Sequence, residues 1–272
     1  MDFASQIRLI VLDVDGTVLT ADGAVSHRVR ESVRQALQKG IRVMLATGRM
    51  VQSARQIWEE LGLPEGHLIA YNGAVIASMP DGAHRVVHHL PSDAAQWLVK
   101  EALRYDILTQ VYVGKELWVS QKDERVRRYV KAHHIPAWVR TRDEILLWPE
   151  PPIKLLLQGE SDVLDQFRLL VQDQAQALGV RVFKSQSDYL EMVGQGIGKG
   201  PALAQVAEWL DIPSSAVLAV GDAENDIDML QWAGIGVAMG QSRSRVKDAA
   251  NWVTSSVDED GAAVAIDRMA LS

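Results

Sequence analysis

Two carboxylates one residue apart, Asp13 and Asp15, close the apolar run Leu9-Ile10-Val11-Leu12 and precede Gly16 and Thr17. A pair in that setting can divide labour. Asp13 can bind a divalent cation and attack phosphorus, while Asp15 gives and later takes a proton. A turn or calcium loop would also use Asp-x-Asp-Gly. A calcium loop, however, follows a helix, carries an earlier Asp or Asn and ends in Glu, whereas Thr17-Val18-Leu19-Thr20 follows here. Thr47-Gly48-Arg49 ends a second apolar run, where a hydroxyl and backbone N–H groups can cradle a phosphate oxygen, or where Thr47 simply caps a helix. Lys199, between Gly198 and Gly200, is either a cation for the same phosphate or a solvated surface lysine. A fourth cluster, Gly221-Asp222-Ala223-Glu224-Asn225-Asp226, follows Val217-Leu218-Ala219-Val220. Asp222 suits a hard cation, and Asn225 and Asp226 can orient phosphate or ligand groups; the plainer reading is an acidic helical turn favoured by the helix dipole. Asn72, in Asn72-Gly73-Ala74 after a third short apolar run, faces the same site or marks a plain turn.

These clusters share a position, the end of a buried run. In an open α/β sheet, ligands bind beyond the carboxyl ends of the strands, so the elements behind the clusters matter. The continuous run Leu9 to Leu12 and the apolar runs Ile41 to Ala46 and Leu68 to Tyr71 read as strands, with helices after Ser26 and over Gln52 to Leu61 between them. That alternation implies a right-handed βαβ sheet. After about residue 82 the rhythm changes to helix (Ser92 to Arg104), two strands turning at Gly114, helix (Asp123 to His133), strand (Ile153 to Gln158), long helix (Asp162 to Leu178) and two strands within Val180 to Val193. From Gly200 the βαβ rhythm returns. The expected architecture is therefore one α/β core, residues 1–82 and 191–272, interrupted by an inserted α+β domain, residues 83–190.

At this point the chain resembles the haloacid dehalogenase superfamily, and within it the Cof-type phosphatases with a large cap inserted late in the core. DVDGT, ATGR, the Gly-flanked lysine in GIGKGPAL and GDAENDIDML look like the four motifs of that family, in order, and YNGA at 71–74 and DEDGAA at 258–263 are also similar to its segments. The resemblance implies a Rossmann-like parallel-sheet core with the insertion as its cap. It implies that Asp13 forms an aspartyl-phosphate, that Asp15 protonates the leaving oxygen and then activates water, and that Thr47 and Lys199 hold the phosphoryl group. It further implies Mg²⁺ on Asp13, the backbone carbonyl of Asp15 and Asp222, with Asp226 and Asn225 supporting, and phosphate contacts from Gly48, Arg49 and Asn72. The expected substrate is a small phosphate monoester, such as a sugar phosphate or a phosphorylated cofactor. A phosphomutase on the same core, or a binding protein that had lost a catalytic group, is the alternative; no motif acid is missing. Ala223 stands where Asn is common and Val18 where Leu is common, and neither change removes a catalytic group.

Composition bounds the rest. The chain has 272 residues, 47% hydrophobic and 23% charged, with a formal charge of −7, which excludes disorder and leaves no basic footprint for nucleic acid or an anionic membrane. No cysteine is present, so thiolate chemistry is excluded. The N-terminal segment lacks the pattern of a leader, and no apolar run reaches the roughly 18 residues of a membrane span, so a cytoplasmic protein is expected. In the inserted block, Trp97, Trp118, Trp138 and Trp148 read as packing residues and His133-His134 as solvent-exposed. Arg85, Arg125 and Arg128 read as contacts for a second anion or as a solvated face.

Overall fold

The computed structural model describes residues 7–20 and 22–272; the first six residues, with which the leader reading begins, lie outside them. Two compact units emerge, one from the described part of Met1–Arg85 with Gly198–Ser272, the other from Val86–Ile197. In the first, β1 (Leu9–Leu12) is buried along its whole length, as an unbroken apolar run demands of a central parallel strand. α1 (His27–Gln38) begins at Ser26, whose hydroxyl accepts the Val29 N–H at 3.1 Å, and it buries Val29, Val33 and Ala36 at helical spacing. β2 (Arg42–Leu45), α2 (Val51–Glu60), β3 (Gly66–Ala70), β4 (Val75–Met79) and β5 (Ala83–Val87) follow.

The second unit runs α3 (Ser92–Arg104), β6 (Leu108–Val113), β7 (Glu116–Val119), α4 (Glu124–His133), β8 (Trp138–Val139), β9 (Lys154–Gln158), α5 (Ser161–Ala177), β10 (Val180–Gln186) and β11 (Tyr189–Gly194). Its six strands order as β10-β11-β9-β6-β7-β8. Leu98, Val99, Val111, Leu155, Leu157, Leu164 and Phe167 are part of one apolar cluster drawn from α3, α5 and this sheet. The chain then returns to the first unit through α6 (Lys199–Trp209), β12 (Val217–Gly221), α7 (Ile227–Trp232), β13 (Ile235–Ala238), α8 (Ser244–Lys247), β14 (Trp252–Val253) and α9 (Gly261–Ile266). Among the described residues no helix is long and apolar enough to cross a membrane.

The five-stranded sheet of the first unit, β14-β13-β12-β1-β2, is parallel throughout. Its register decides where chemistry is possible. Leu12 lies level with Val220 of β12 and Leu45 of β2, and the ladder continues through Asp13 N–H to Val220 C=O and Ala46 N–H to Leu12 C=O, both 2.9 Å. Asp13, Thr47 and Asp222 therefore leave the sheet together at one edge.

The structure departs from the sequence reading in identifiable places. Val75–Met79 and Ala83–Val87 form a three-stranded sheet with β3; the first of them follows Gly73-Ala74 with no polar break, so the pattern does not announce it. β8 has two residues and α8 four, too short for periodicity to register. Strand β11 pairs with β9 (Leu190 with Leu157, Met192 with Leu155) and with β10, which moves the second boundary from 190/191 to 197/198. Trp118 is buried and Trp97 and Trp148 pack on the apolar cluster, but Trp138 is half exposed on the edge strand β8. His133 is not on an open face: its ring stacks on Tyr129 at 4.0 Å.

Candidate active site

The parallel sheet delivers the loops after β1, β2 and β12 to one place, where the start of α6 joins them, all within the first unit. Asp13 follows β1 and is buried, and its Oδ1 accepts a hydrogen bond from Lys199 Nζ at 2.5 Å. Lys199 is the first residue of α6 and fully buried; it also donates to Asp226 Oδ1 at 2.6 Å. Lys199 is thus an interior cation between two carboxylates and not a solvated surface lysine. Asp226 Oδ2 in turn accepts the backbone N–H groups of Asp222 and Ala223, each at 2.9 Å. The acidic turn after β12 is thus wound around one carboxylate rather than merely aligned with a helix dipole.

One oxygen from each of Asp13, Asp222 and Asp226 lies within 4.8 Å of the others. Burial raises the Asp13 carboxyl to about 7, helped by Asp226 and opposed by Lys199. Burial and the neighbouring Asp13 and Asp226 also hold Asp222 well above the carboxylate range. Burial works against the charge on Lys199, yet the two carboxylates beside it outweigh this and push its pKa up. Three acids around one lysine leave a deficit of positive charge. An all-oxygen donor set in that state fits a hard divalent cation, with Asp13 and Asp222 the better placed ligands because both Asp226 oxygens are engaged.

Gly16 has φ +80° and sits directly under Asp222: a Cβ there would lie 2.5 Å from Asp222 Oδ2. Only glycine allows the turn and this approach together. Asp15 points its carboxylate at Arg49, which grips both oxygens, Nε to Oδ2 at 2.8 Å and Nη2 to Oδ1 at 2.6 Å. Such a fork is the strong geometry for an arginine and a carboxylate. Arg49, expected to meet phosphate, is buried, pairs with Asp15 and also reaches Ser53 Oγ at 3.3 Å. Thr47 is fully buried; its hydroxyl accepts the Arg49 N–H at 3.1 Å, and its own N–H bonds Ile69 C=O at 2.8 Å. Asn72 is buried too, its Oδ1 accepting from Asn225 Nδ2 at 2.9 Å. Gly48 packs on the Asn72 carboxamide, 2.9 Å from where a Cβ would be.

Three contributors were not legible in advance. Asp228 Oδ1 accepts the Gly200 N–H at 3.0 Å and so ties α7 to the start of the helix that carries Lys199. Thr17 Oγ1 reaches Asp222 Oδ1 at 3.5 Å. Gln241 donates to the Gly16 carbonyl at 2.6 Å and accepts from Val257 N–H at 3.0 Å. Asp228 and Thr17 lie inside motif strings, so proximity in sequence was a signal; Gln241 had none.

A family model for haloacid dehalogenase-like hydrolases matches residues 10–266. Phosphatase YwpJ of Bacillus subtilis is 30% identical over 94% of this chain and 98% of its own. The 5-amino-6-(5-phospho-D-ribitylamino)uracil phosphatase YcsE of the same organism is 29% identical over 96% of this chain and 94% of its own. Among solved structures, a haloacid dehalogenase-like hydrolase from Bacteroides thetaiotaomicron matches with a TM-score of 0.83 at 30% identity, over 97% of this chain and 99% of its own.

Proposed function

We propose that this chain, which belongs to the haloacid dehalogenase-like hydrolase family, is a phosphatase of small phosphate monoesters that works through a covalent phosphoryl group on Asp13. The observation that carries the reading is the convergence of Asp13, Lys199, Asp222 and Asp226 at one sheet edge with the Arg49-held Asp15 beside them.

In the first half-reaction an Asp13 carboxylate oxygen attacks phosphorus and the bond to the ester oxygen breaks, that oxygen taking a proton from the Asp15 carboxylic acid. In the second, Asp15 takes a proton from water as the water oxygen attacks phosphorus, releasing inorganic phosphate and restoring the Asp13 carboxylate. Lys199 aligns Asp13 and offsets charge on the phosphoryl oxygens, and Thr47 with the backbone after β2 cradles them. Arg49 occupies both oxygens of Asp15, so the acid role requires Asp15 to loosen that fork when the ester arrives. Mg²⁺, held by Asp13 and Asp222 with the Asp15 carbonyl and supported by Asp226, would neutralise charge developing on the transferred group.

The relative named for phosphoribitylaminouracil supports a sugar-like phosphate or a phosphorylated cofactor as the substrate class. The test is phosphate release from a panel of such esters, with and without Mg²⁺, by the wild type and Asp13→Asn. Release that needs Mg²⁺ and disappears in the variant is expected. Full release by Asp13→Asn removes the nucleophile assignment, and conversion of a sugar phosphate to its isomer without net release replaces the phosphatase with a mutase.

A further inference from the structure

Tyr71, Asn72 and Gly73 adopt φ values of 51°, 57° and 94°, three successive residues in the left-handed region. Glycine enters that region freely and asparagine tolerates it, but a tyrosine there is an outlier that surrounding structure must enforce. The enforcement is visible. Tyr71 is completely buried, its N–H bonds Arg49 C=O at 3.0 Å, and the Asn72 N–H bonds Thr47 C=O at 2.9 Å. At Gly73 the backbone runs against Gly198: a Cβ there would lie 2.1 Å from the Gly198 carbonyl oxygen. One short segment therefore touches the loop of Thr47, the residue before Lys199 and, through the Asn72 side chain, Asn225 of the turn that carries Asp226.

The Asn72 carboxamide does more than fill space. By accepting from Asn225 Nδ2 it fixes how the Asn225 amide is turned, and the other end, Asn225 Oδ1, is buried without a hydrogen-bond partner among the described residues. A buried amide left with one open end belongs where a ligand completes it. Asn225 directly precedes Asp226, the carboxylate that holds Lys199 and both amides after β12. A rotation of Asn225 is thus felt at the groups that would surround the phosphoryl oxygens.

We propose that Asn72 is a positioning residue for phosphoryl transfer, acting through Asn225 and the Thr47 loop, and not a phosphate ligand or a plain turn residue. The inference rests on the phosphatase reading above. Asn72→Gly keeps the left-handed backbone and removes only the carboxamide, so it separates positioning from turn geometry.

The experiment measures kcat, KM and thermal melting for the wild type, Asn72→Gly, Asn225→Ala and the double variant on the best ester of the panel. Asn72→Gly is expected to lower kcat by about 10- to 100-fold, with KM within about 3-fold and melting near that of the wild type. The double variant should be no slower than Asn225→Ala alone, because the two changes break one unit. Asn72→Gly with wild-type kcat makes Asn72 a turn residue, and losses that multiply in the double variant make it act independently of Asn225; either overturns the proposal. A KM rise with kcat intact makes it a ligand instead. A wild type that releases phosphate from no ester removes the phosphatase reading, and this inference with it.

Discussion

Each unit buries a lysine against a carboxylate at 2.5 Å, and the two pairs lie in opposite circumstances. Lys199, at the start of α6, meets Asp13 just beyond the end of β1, with Asp226 and Asp222 crowding the same space. Lys154, at the start of β9, meets Glu191 within β11, with the lysine also 4.8 Å from the centre of the Tyr112 ring. Tyr112 passes the network on through its hydroxyl to Tyr129 at 2.6 Å. In the inserted unit a cation is matched to an anion within a sheet, an arrangement that sets strand pairing. In the core, acids outnumber the lysine, and a bound divalent cation would offset the carboxylates that the lysine does not match. Surplus charge at strand ends, not burial of charge as such, marks the reactive pair.

The sharpest way to break that contrast is to neutralise one member of each pair. Asp13→Asn should lower phosphate release by at least about 10³-fold while leaving the circular dichroism spectrum unchanged, since it removes the attacking oxygen and not the fold. Lys154→Met should do the reverse. It strands Glu191 in the interior and is expected to destabilise by about 3–5 kcal/mol in denaturant unfolding, and pairing it with Glu191→Leu should recover most of the loss. A raised KM with unchanged stability would instead put Lys154 with the substrate.

The Asp13 pair can also be probed through pH. A carboxyl lifted from 3.8 to about 7 keeps its proton in the folded protein across a range where the unfolded chain has lost it. On account of Asp13, stability therefore falls as pH rises from about 4 to about 7 and is level above. Chelator-treated Asp13→Asn should accordingly melt above the chelator-treated wild type at pH 8, by about 3–5 °C, and the gap should close as pH drops towards 5. Adding Mg²⁺ should shrink the gap at pH 8 by stabilising the wild type more than the variant. A constant gap across this range would mean that Asp13 is not the strained member of the cluster.

Legibility in the sequence follows the same division. Asp13, Thr47 and Asp222 were readable because each ends an unbroken apolar run, and a parallel strand buried on both faces leaves few other ways to write one. What those residues touch was not readable. The fork from Arg49 to Asp15 joins residues 34 apart, and the bond from Lys199 to Asp13 spans 186, so neither produces a local pattern. The left-handed turn at Tyr71 was hidden for a different reason: an aromatic after Ile69-Ala70 continues the apolar pattern of a strand, and only packing forces it out. Strand β8 and helix α8 span only about one period of the signal that would reveal them, too little for a repeat to show.

Gln241 offers the smallest and most discriminating test, because it reaches the reactive loop from an exposed position. Its Nε2 donates to the Gly16 carbonyl and its Oε1 accepts from Val257, so one side chain links the turn beneath Asp222 to the loop after β14. Exposed hydrogen bonds are readily replaced by water, and stability should change by no more than about 0.5 kcal/mol in Gln241→Ala. Turnover should still fall about 3- to 10-fold, with a higher Mg²⁺ requirement, since Gly16 follows Asp15 and lies against Asp222. Gln241→Glu identifies the end that matters: it keeps an acceptor for the Val257 N–H but has no donor for the Gly16 carbonyl. Turnover in Gln241→Glu as low as in Gln241→Ala locates the effect at Gly16. Wild-type turnover in both variants means that water serves the Gly16 carbonyl as well as the glutamine does, and that the reactive loop is held from within by Gly16, Thr17 and the acids around Lys199.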